Sequence, residues 1–555
     1  MISIYIDYKL QRFQPEIKFT FGFILQSLGY SYCFISDTGQ LKDNHLLMIY
    51  GYTDPSVDEL TALAQHYATI FIQSDPDLFD TKTYTPEKIR QNLREIKLLS
   101  PTPVISARKI DHAAVNYTES GIQAGKINFD LIGNVFFHLA SLEQLIDTQH
   151  VENGYYQDAA SAFHTYRETP YVDNMLWLLD SMIKEHTRSN GRYTVQKNYW
   201  PEGQQAAVCL SHTVDDLQKW NFSSLMVSSA EDIAMLATLK WRQLAHNVKN
   251  KLKYLFTNYE LYWNFDEYRK LEREAGCRSA WFIATESNDE IDYSLDDADL
   301  QDEIRQIMKE GGEIGLLATA DKVNRDDFVK RKQILLHLLH KDQVAIRQLG
   351  YQMNNTLRDL HHKLNPLYSQ SEAMQDSPGF KNGISIPWHP WIGNMKAGYL
   401  NIPTLYQDHY LTVNKYKTLQ LDDAKHQVKK FFQYALRIRG VFGVDFRLAT
   451  YTDVPYCEKL YAYILALVKS GATWITTGQE IASWWEKRAR VTIDQGEYEI
   501  SVYFPDDLDN MVLQVFGDAR VKEIDGAIGK IDGNIIRFSA VKANSIAIIR
   551  LHPHS

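Results

Sequence analysis

One pattern constrains this chain more than any other: from about residue 204 to residue 489, short apolar runs alternate with long stretches of helical spacing. The runs fall at 207–211, 280–284, 313–317, 383–387, 401–405, 441–446 and 473–476. Helical patterns lie between them at about 230–256, 299–309, 326–340, 422–437 and 458–469. Parallel strands are joined by helix-length crossovers, so repeated strand–helix units predict a barrel or a doubly wound sheet. In such a fold a site sits at the C-terminal ends of the strands.

The flanking regions read differently. Residues 1–125 alternate compact β-type runs (2–6, 45–50, 69–73, 103–106) with helical patterns at 16–28 and 56–66, which predicts a small α/β domain. Residues 126–200 read as a helical connector, with Asp130 placed to cap the helix over 127–145. Residues 201–489 form the larger unit, and 490–555 read as a small all-β domain. Asp525-Gly526 and Asp532-Gly533 are its hairpin signals, because glycine tolerates positive φ.

Composition narrows the function. Among 555 residues, 45% hydrophobic and 23% charged is ordinary for a folded domain protein. A net charge of −10 without a Lys/Arg-rich run argues against nucleic-acid binding. The four cysteines (Cys33, Cys209, Cys277, Cys457) are far apart, with no CxxC, so they give no metal spacing and no disulfide framework. The start of the chain lacks a basic, then apolar, leader, and no run of ~18 apolar residues occurs. The expectation is a cytoplasmic protein without a membrane span.

Four motifs then stand in a telling order. Ala207-Val-Cys-Leu-Ser-His-Thr-Val-Asp-Asp-Leu217 comes first, and Gly311-Gly-Glu-Ile-Gly-Leu-Leu317 second. Gly379-Phe-Lys-Asn-Gly383 with Ile386-Pro-Trp-His-Pro-Trp391 is third, and Ala472–Trp485 followed by Arg488 closes the series. Together they resemble the polysaccharide deacetylase superfamily. Phe129-Asp-Leu-Ile-Gly133 and Phe136–Glu143 are similar to the helical segment that precedes the domain in one bacterial branch. The resemblance implies an α/β fold: a deformed (β/α) barrel with an N-terminal α/β companion and the small C-terminal β-domain.

It also implies a chemistry, and this chain departs from it. Family enzymes remove an acetyl group from a sugar using a divalent metal held by one Asp and two His, an Asp base and a late His acid. Asp215 matches the metal-ligand Asp, but Thr213 stands at the base and Leu317 at the first metal His. Arg447 or Thr450 falls where the late His is usual, and Arg347 matches the Arg that orients the base. A lone Asp215 carboxylate holds zinc poorly without nitrogen ligands. No cofactor is therefore expected, with zinc only if the site is rearranged around His212, Asp215 and Asp216.

Other candidates have plainer readings beside the functional one. His212 suits a core histidine, and Asp215 and Asp216 suit loop caps. His337 and His340 share a helix face, although histidines near a helix C-terminus also complement its dipole. His361 and His362 are adjacent on a helix, so their side chains diverge. Trp388, His389 and Trp391 would stack on sugar rings if they line a cleft, or pack if they do not. The sequence thus points to a degenerate deacetylase-like protein that binds a polysaccharide or a partner protein of its assembly. The alternatives are an active enzyme with a rearranged site and a structural protein with a plugged cleft.

Overall fold

The computed structural model describes residues 1–37, 40–41, 45–119, 122–219, 248, 261–319, 325–375, 377–413 and 419–553. Apart from Val248, the helical pattern at 230–256 lies outside the described residues.

The larger unit is built on a curled, all-parallel sheet. Its order is Ile346–Gln348, Glu313–Ala318, Ser279–Ile283, Ala206–Val214, Val441–Arg447 and Tyr406–Gln407, with Thr473–Thr476 also on Ala206–Val214. Every position of Ala206–Val214 is buried, as expected of a strand covered on both faces. Single parallel bridges, Ile346 to Ser369 and Ser369 to Asn401, carry the curl onward from the Ile346–Gln348 edge. The helices Phe265–Ala275, Ala298–Lys309, Arg325–Leu339, Leu421–Ile438 and Cys457–Ser470 connect the strands. Leu421–Ile438 shows why such helices pack: Ala424, Val428, Phe431, Phe432 and Ala435 recur at helical spacing and are all buried. Each large apolar side chain so covered contributes about 1.5–3 kcal/mol.

Two sequence-predicted strands are not strands. At 383–387 the chain is a loop whose Ser385 carbonyl accepts from Val441 N (2.7 Å). At 401–405 only Asn401 forms bridges, and the paired strand begins at Tyr406. Both runs are apolar because they are buried, not because they are regularly paired.

The N-terminal sheet runs Tyr32–Ile35, Ile2–Ile6, Leu46–Gly51, Thr69–Gln73, Ile122–Ile127 and Ala114–Glu119, parallel except for the last pair. Leu60 and Ala64 of the helix Val57–Ala64 pack with Phe71 and Ala124 on one face. Asp130 caps the helix Leu131–Leu139 by accepting from Gly133 N. Residues 103–106 do not join this sheet; Pro101–Ile105 pairs antiparallel with Leu93–Lys97.

At the C-terminus two four-stranded antiparallel sheets face each other. One is Tyr193–Lys197, Leu508–Gly517, Ile535–Val541 and Gly529–Asp532; the other is Thr492–Gln495, Glu499–Phe504, Ser545–Pro553 and Ala519–Asp525. The rings of Phe504 and Phe538, one from each, meet at 5.2 Å. Asp532-Gly533 turns a hairpin, whereas Asp525-Gly526 carries the chain from one sheet to the other. The strand Tyr193–Lys197 comes from the connector, so the connector is stitched into the terminal sheets.

A buried junction fixes these parts to one another. Arg488 donates to the carbonyls of Gln26, Ser27, Lys197 and Asn198. Lys197 Nζ donates to the carbonyls of Arg488 and Val491. Gly29 ends the helix Gln14–Leu28 at φ +86°, and a Cβ there would lie 2.1 Å from the Lys197 carbonyl.

Candidate functional site

Strand alternation decides which side chains enter the curl. The register pairs Ser211 with Asp445 and Thr213 with Arg447, so 211, 213, 445 and 447 point inward together. Leu317 pairs with Arg347 and Thr213 with Phe282, which brings those side chains to the same interior.

The lower layer is a closed polar network. Arg347 is paired with Asp445, and both are buried. Its guanidinium also donates to Thr213 Oγ1 (2.9 Å) and Ser211 Oγ (2.7 Å) and lies 4.0 Å from the Phe282 ring centroid. Thr213 Oγ1 donates on to Asp445 Oδ2 (2.9 Å), as does Tyr351 (2.7 Å). Burial works against the Arg347 charge, but Asp445 overrides it and holds the pKa above the ordinary arginine value. Thr213 therefore does not leave Arg347 without an acid. The carboxylate comes from the neighbouring strand.

The upper layer sits where the strands end. Arg447 Nη1 donates to Asp215 Oδ2 (3.0 Å), and its Nε lies 3.9 Å from Asp408 Oδ1. Its own N–H donates to Asp408 Oδ2 (2.8 Å). Burial disfavours the guanidinium charge, yet Asp215 and Asp408 raise its pKa well above normal. Burial, then Asp445, pushes the Asp408 carboxyl up to about 7 against the pull of Arg447. Burial pushes Asp216 up to about 7 as well, helped by Asp215 and Asp292. Asp292 caps the turn by accepting from Leu217 N (2.9 Å) and Gln218 N (2.7 Å). His409 stands beside the cluster, its pKa lowered to about 4 by burial and then by Arg447.

The metal implied by the resemblance does not fit these residues. Asp215, the matching ligand, is engaged by a guanidinium. Leu317 is a buried aliphatic side chain at the end of its strand. Among the described residues no group of three or more His, Cys, Asp or Glu is arranged to hold a metal ion. His337 and His340 have ring centroids 6.4 Å apart; His362 accepts from Gly398 N (2.9 Å), and buried His361 has its Nδ1 3.3 Å from Ser369 Oγ.

Two sets of expected site residues lie elsewhere. His212 points to the outer face of the sheet. Its Nδ1 is 3.1 Å from the Phe446 carbonyl, its Nε2 2.8 Å from Glu272 Oε1, and its ring 4.1 Å from that of Trp281. It belongs to the core beneath the helices, because residue 212 alternates away from 211 and 213. The aromatic loop is also no platform. Trp388 is 2% exposed, and the His389 ring bonds to the Tyr399 carbonyl (2.9 Å). Trp391 packs on Phe19 (4.8 Å) and Phe136 (5.8 Å) of the N-terminal region. This loop uses its aromatic surface in packing against Phe19 and Phe136.

Sequence reading missed Asp445, Tyr351, Asp408 and His409. The one available signal was Arg347 itself: an arginine in a buried strand requires a carboxylate, and residues 443, 445 and 447 share its side.

A family model described as a family of unknown function (DUF7033) matches residues 5–188. No curated protein matches the chain. Solved structures similar to it include a protein described as a probable polysaccharide deacetylase from Pseudomonas aeruginosa (12% identity, 52% of this chain and 93% of that one, TM-score 0.36). A protein described as a polysaccharide deacetylase from Mycobacterium smegmatis is another (14% identity, 54% and 96%, TM-score 0.35). Puue allantoinase is a third (15% identity, 52% and 92%, TM-score 0.36). None of these likenesses bears on activity; the geometry has to.

Proposed function

We propose that this chain is a carbohydrate-directed, deacetylase-like protein that has lost metal-assisted hydrolysis and binds a glycan or a partner of polysaccharide metabolism. One observation carries the reading: Arg447 lies on Asp215, so a fixed guanidinium takes the carboxylate a metal would need. Leu317 and Thr213 agree with it, since neither can supply a ligand or a general base. A guanidinium can neutralise Asp215 and Asp408, but it has no coordination position at which to activate water.

The test is metal content by mass spectrometry on protein purified without chelator, with Asp215→Ala as control, beside acetate release from an acetylated chitooligosaccharide. Folded protein with neither metal nor acetate release supports the proposal. Near-stoichiometric metal that Asp215→Ala removes overturns it.

A second reading, a rearranged acid–base enzyme, draws on half-buried Asp216 and buried Asp408, two carboxyls pushed to about 7 beside a cation. It requires sugar-substrate turnover without metal that falls at least ~100-fold in Asp216→Asn.

A further inference from the structure

The opposite end of the curled sheet holds a second polar site. The strand Val441–Arg447 ends at Arg447, and its N-terminal end lies roughly 20 Å away at a rise of ~3.3 Å per residue. There, between the connector helix Tyr171–Ser189 and the turn before Val441, a crevice of about 220 Å³ opens. An engineered cavity of ~150 Å³ accepts a benzene ring, so this one has room for a substituted six-membered ring.

Its floor is polar. Asp173 Oδ1 and Gln196 Oε1 line it, both on buried side chains, and neither has a hydrogen-bond partner among the described residues. The other atoms of these groups are committed: Asp173 Oδ2 accepts from Ser385 N (2.8 Å), and Gln196 Nε2 donates to Leu28 O (2.7 Å) and Asp180 (2.9 Å). Both side chains are thus held rigidly beneath the crevice, where these two oxygens have almost no accessible surface.

The rim supplies two further features. Trp177 is 41% exposed, an aromatic face beside a polar pocket. Arg437 and Arg439 are exposed and have no carboxylate partner among the described residues, whereas Asp180 is already engaged by Lys184 (2.7 Å) and Tyr30 (2.7 Å). Arg439 leans over the Tyr199 ring at 5.9 Å. Guanidiniums in this position favour a carboxylate.

We propose that this crevice binds an acidic sugar unit of the uronic-acid type, with the ring against Trp177 and the carboxylate to Arg437 and Arg439. It extends the carbohydrate-directed reading but does not depend on the metal-free mouth. Metal found at Asp215 would leave it standing, and its own failure would leave the Arg447 argument untouched.

The experiment is calorimetric titration of the full chain with glucuronate, and with a glucuronate-containing oligosaccharide to separate a free sugar from a chain unit. Glucose and acetate are the controls. Saturable glucuronate binding with a Kd on the order of 1 mM or tighter is expected, weakened at least ~10-fold in Arg437→Gln/Arg439→Gln and in Trp177→Ala. These three side chains are exposed, and circular dichroism of each variant confirms folding. The proposal is overturned by absence of saturation with either ligand, or by binding that survives both variants. Equal affinity for glucose removes the acidic class and overturns it as stated.

Discussion

The two ends of the curled sheet handle charge in opposite ways. At the C-terminal end, acids and bases are matched to one another: Arg347 with Asp445, Arg447 with Asp215 and Asp408. At the other end, Arg437 and Arg439 line a crevice and have no carboxylate partner among the described residues. Paired charges hold a core together, whereas exposed charges without a counter-ion have interactions to give to a ligand. The end where the resemblance places chemistry is the one whose charges are paired.

The largest effect should come from breaking the paired end. Arg347→Met leaves Asp445 buried without its counter-charge, and denaturation is expected to show a loss of about 3–5 kcal/mol. The double variant Arg347→Met/Asp445→Leu should recover much of that, because two matched apolar side chains replace two matched charges. If the single variant costs less than ~1 kcal/mol, the network is not what holds the interior, and the contrast between the ends fails.

A smaller, pH-dependent effect tests the upper layer. The folded pKa of Asp408 is about 7, raised from 3.8, so between these values the folded chain keeps a proton that the unfolded chain has released. The stability this contributes is fully present below about pH 4 and is lost as pH rises towards about 7. Asp408→Asn cannot titrate. The stability difference between wild type and variant should therefore shift against the wild type with rising pH, by at most about 1.4 kcal/mol per pH unit. Denaturant midpoints at about pH 5 and about pH 7 read the slope; a flat difference would mean Asp408 is ionised throughout.

What the sequence showed, and what it hid, follows the same division. Apolar runs disclosed the strands because a parallel sheet buries both faces, as in Ala206–Val214. They do not separate a paired strand from a buried loop, as the apolar, unpaired run 383–387 shows. Ile346–Gln348 escaped notice because a three-residue strand containing a charge has no apolar signature. The departures at Thr213 and Leu317 were legible from the motifs. The replacement for the lost acid was not, because Asp445 reaches Arg347 only through a register that pairs it with Ser211 across the sheet. Likewise Trp388 and Trp177 are both tryptophans in amphipathic surroundings, and only packing makes the first a core residue and the second a rim residue.

The smallest expected effect is the sharpest test of the other end. Trp177 is exposed, so Trp177→Ala should change unfolding free energy by no more than about 0.5 kcal/mol. Trp391, packed on Phe19 and Phe136, gives the comparison: its replacement by alanine forfeits two aromatic contacts at about 0.5–1.5 kcal/mol each. Both variants are read in the same denaturation experiment. A cost for Trp177→Ala that equals or exceeds that of Trp391→Ala would show that the indole holds the connector helix in place. The rim would then be part of the scaffold, and any loss of sugar binding in that variant would report on folding. A negligible cost means the fold gains almost nothing from a large apolar side chain kept in water beside two unmatched guanidiniums, which leaves contact with a ligand as its use.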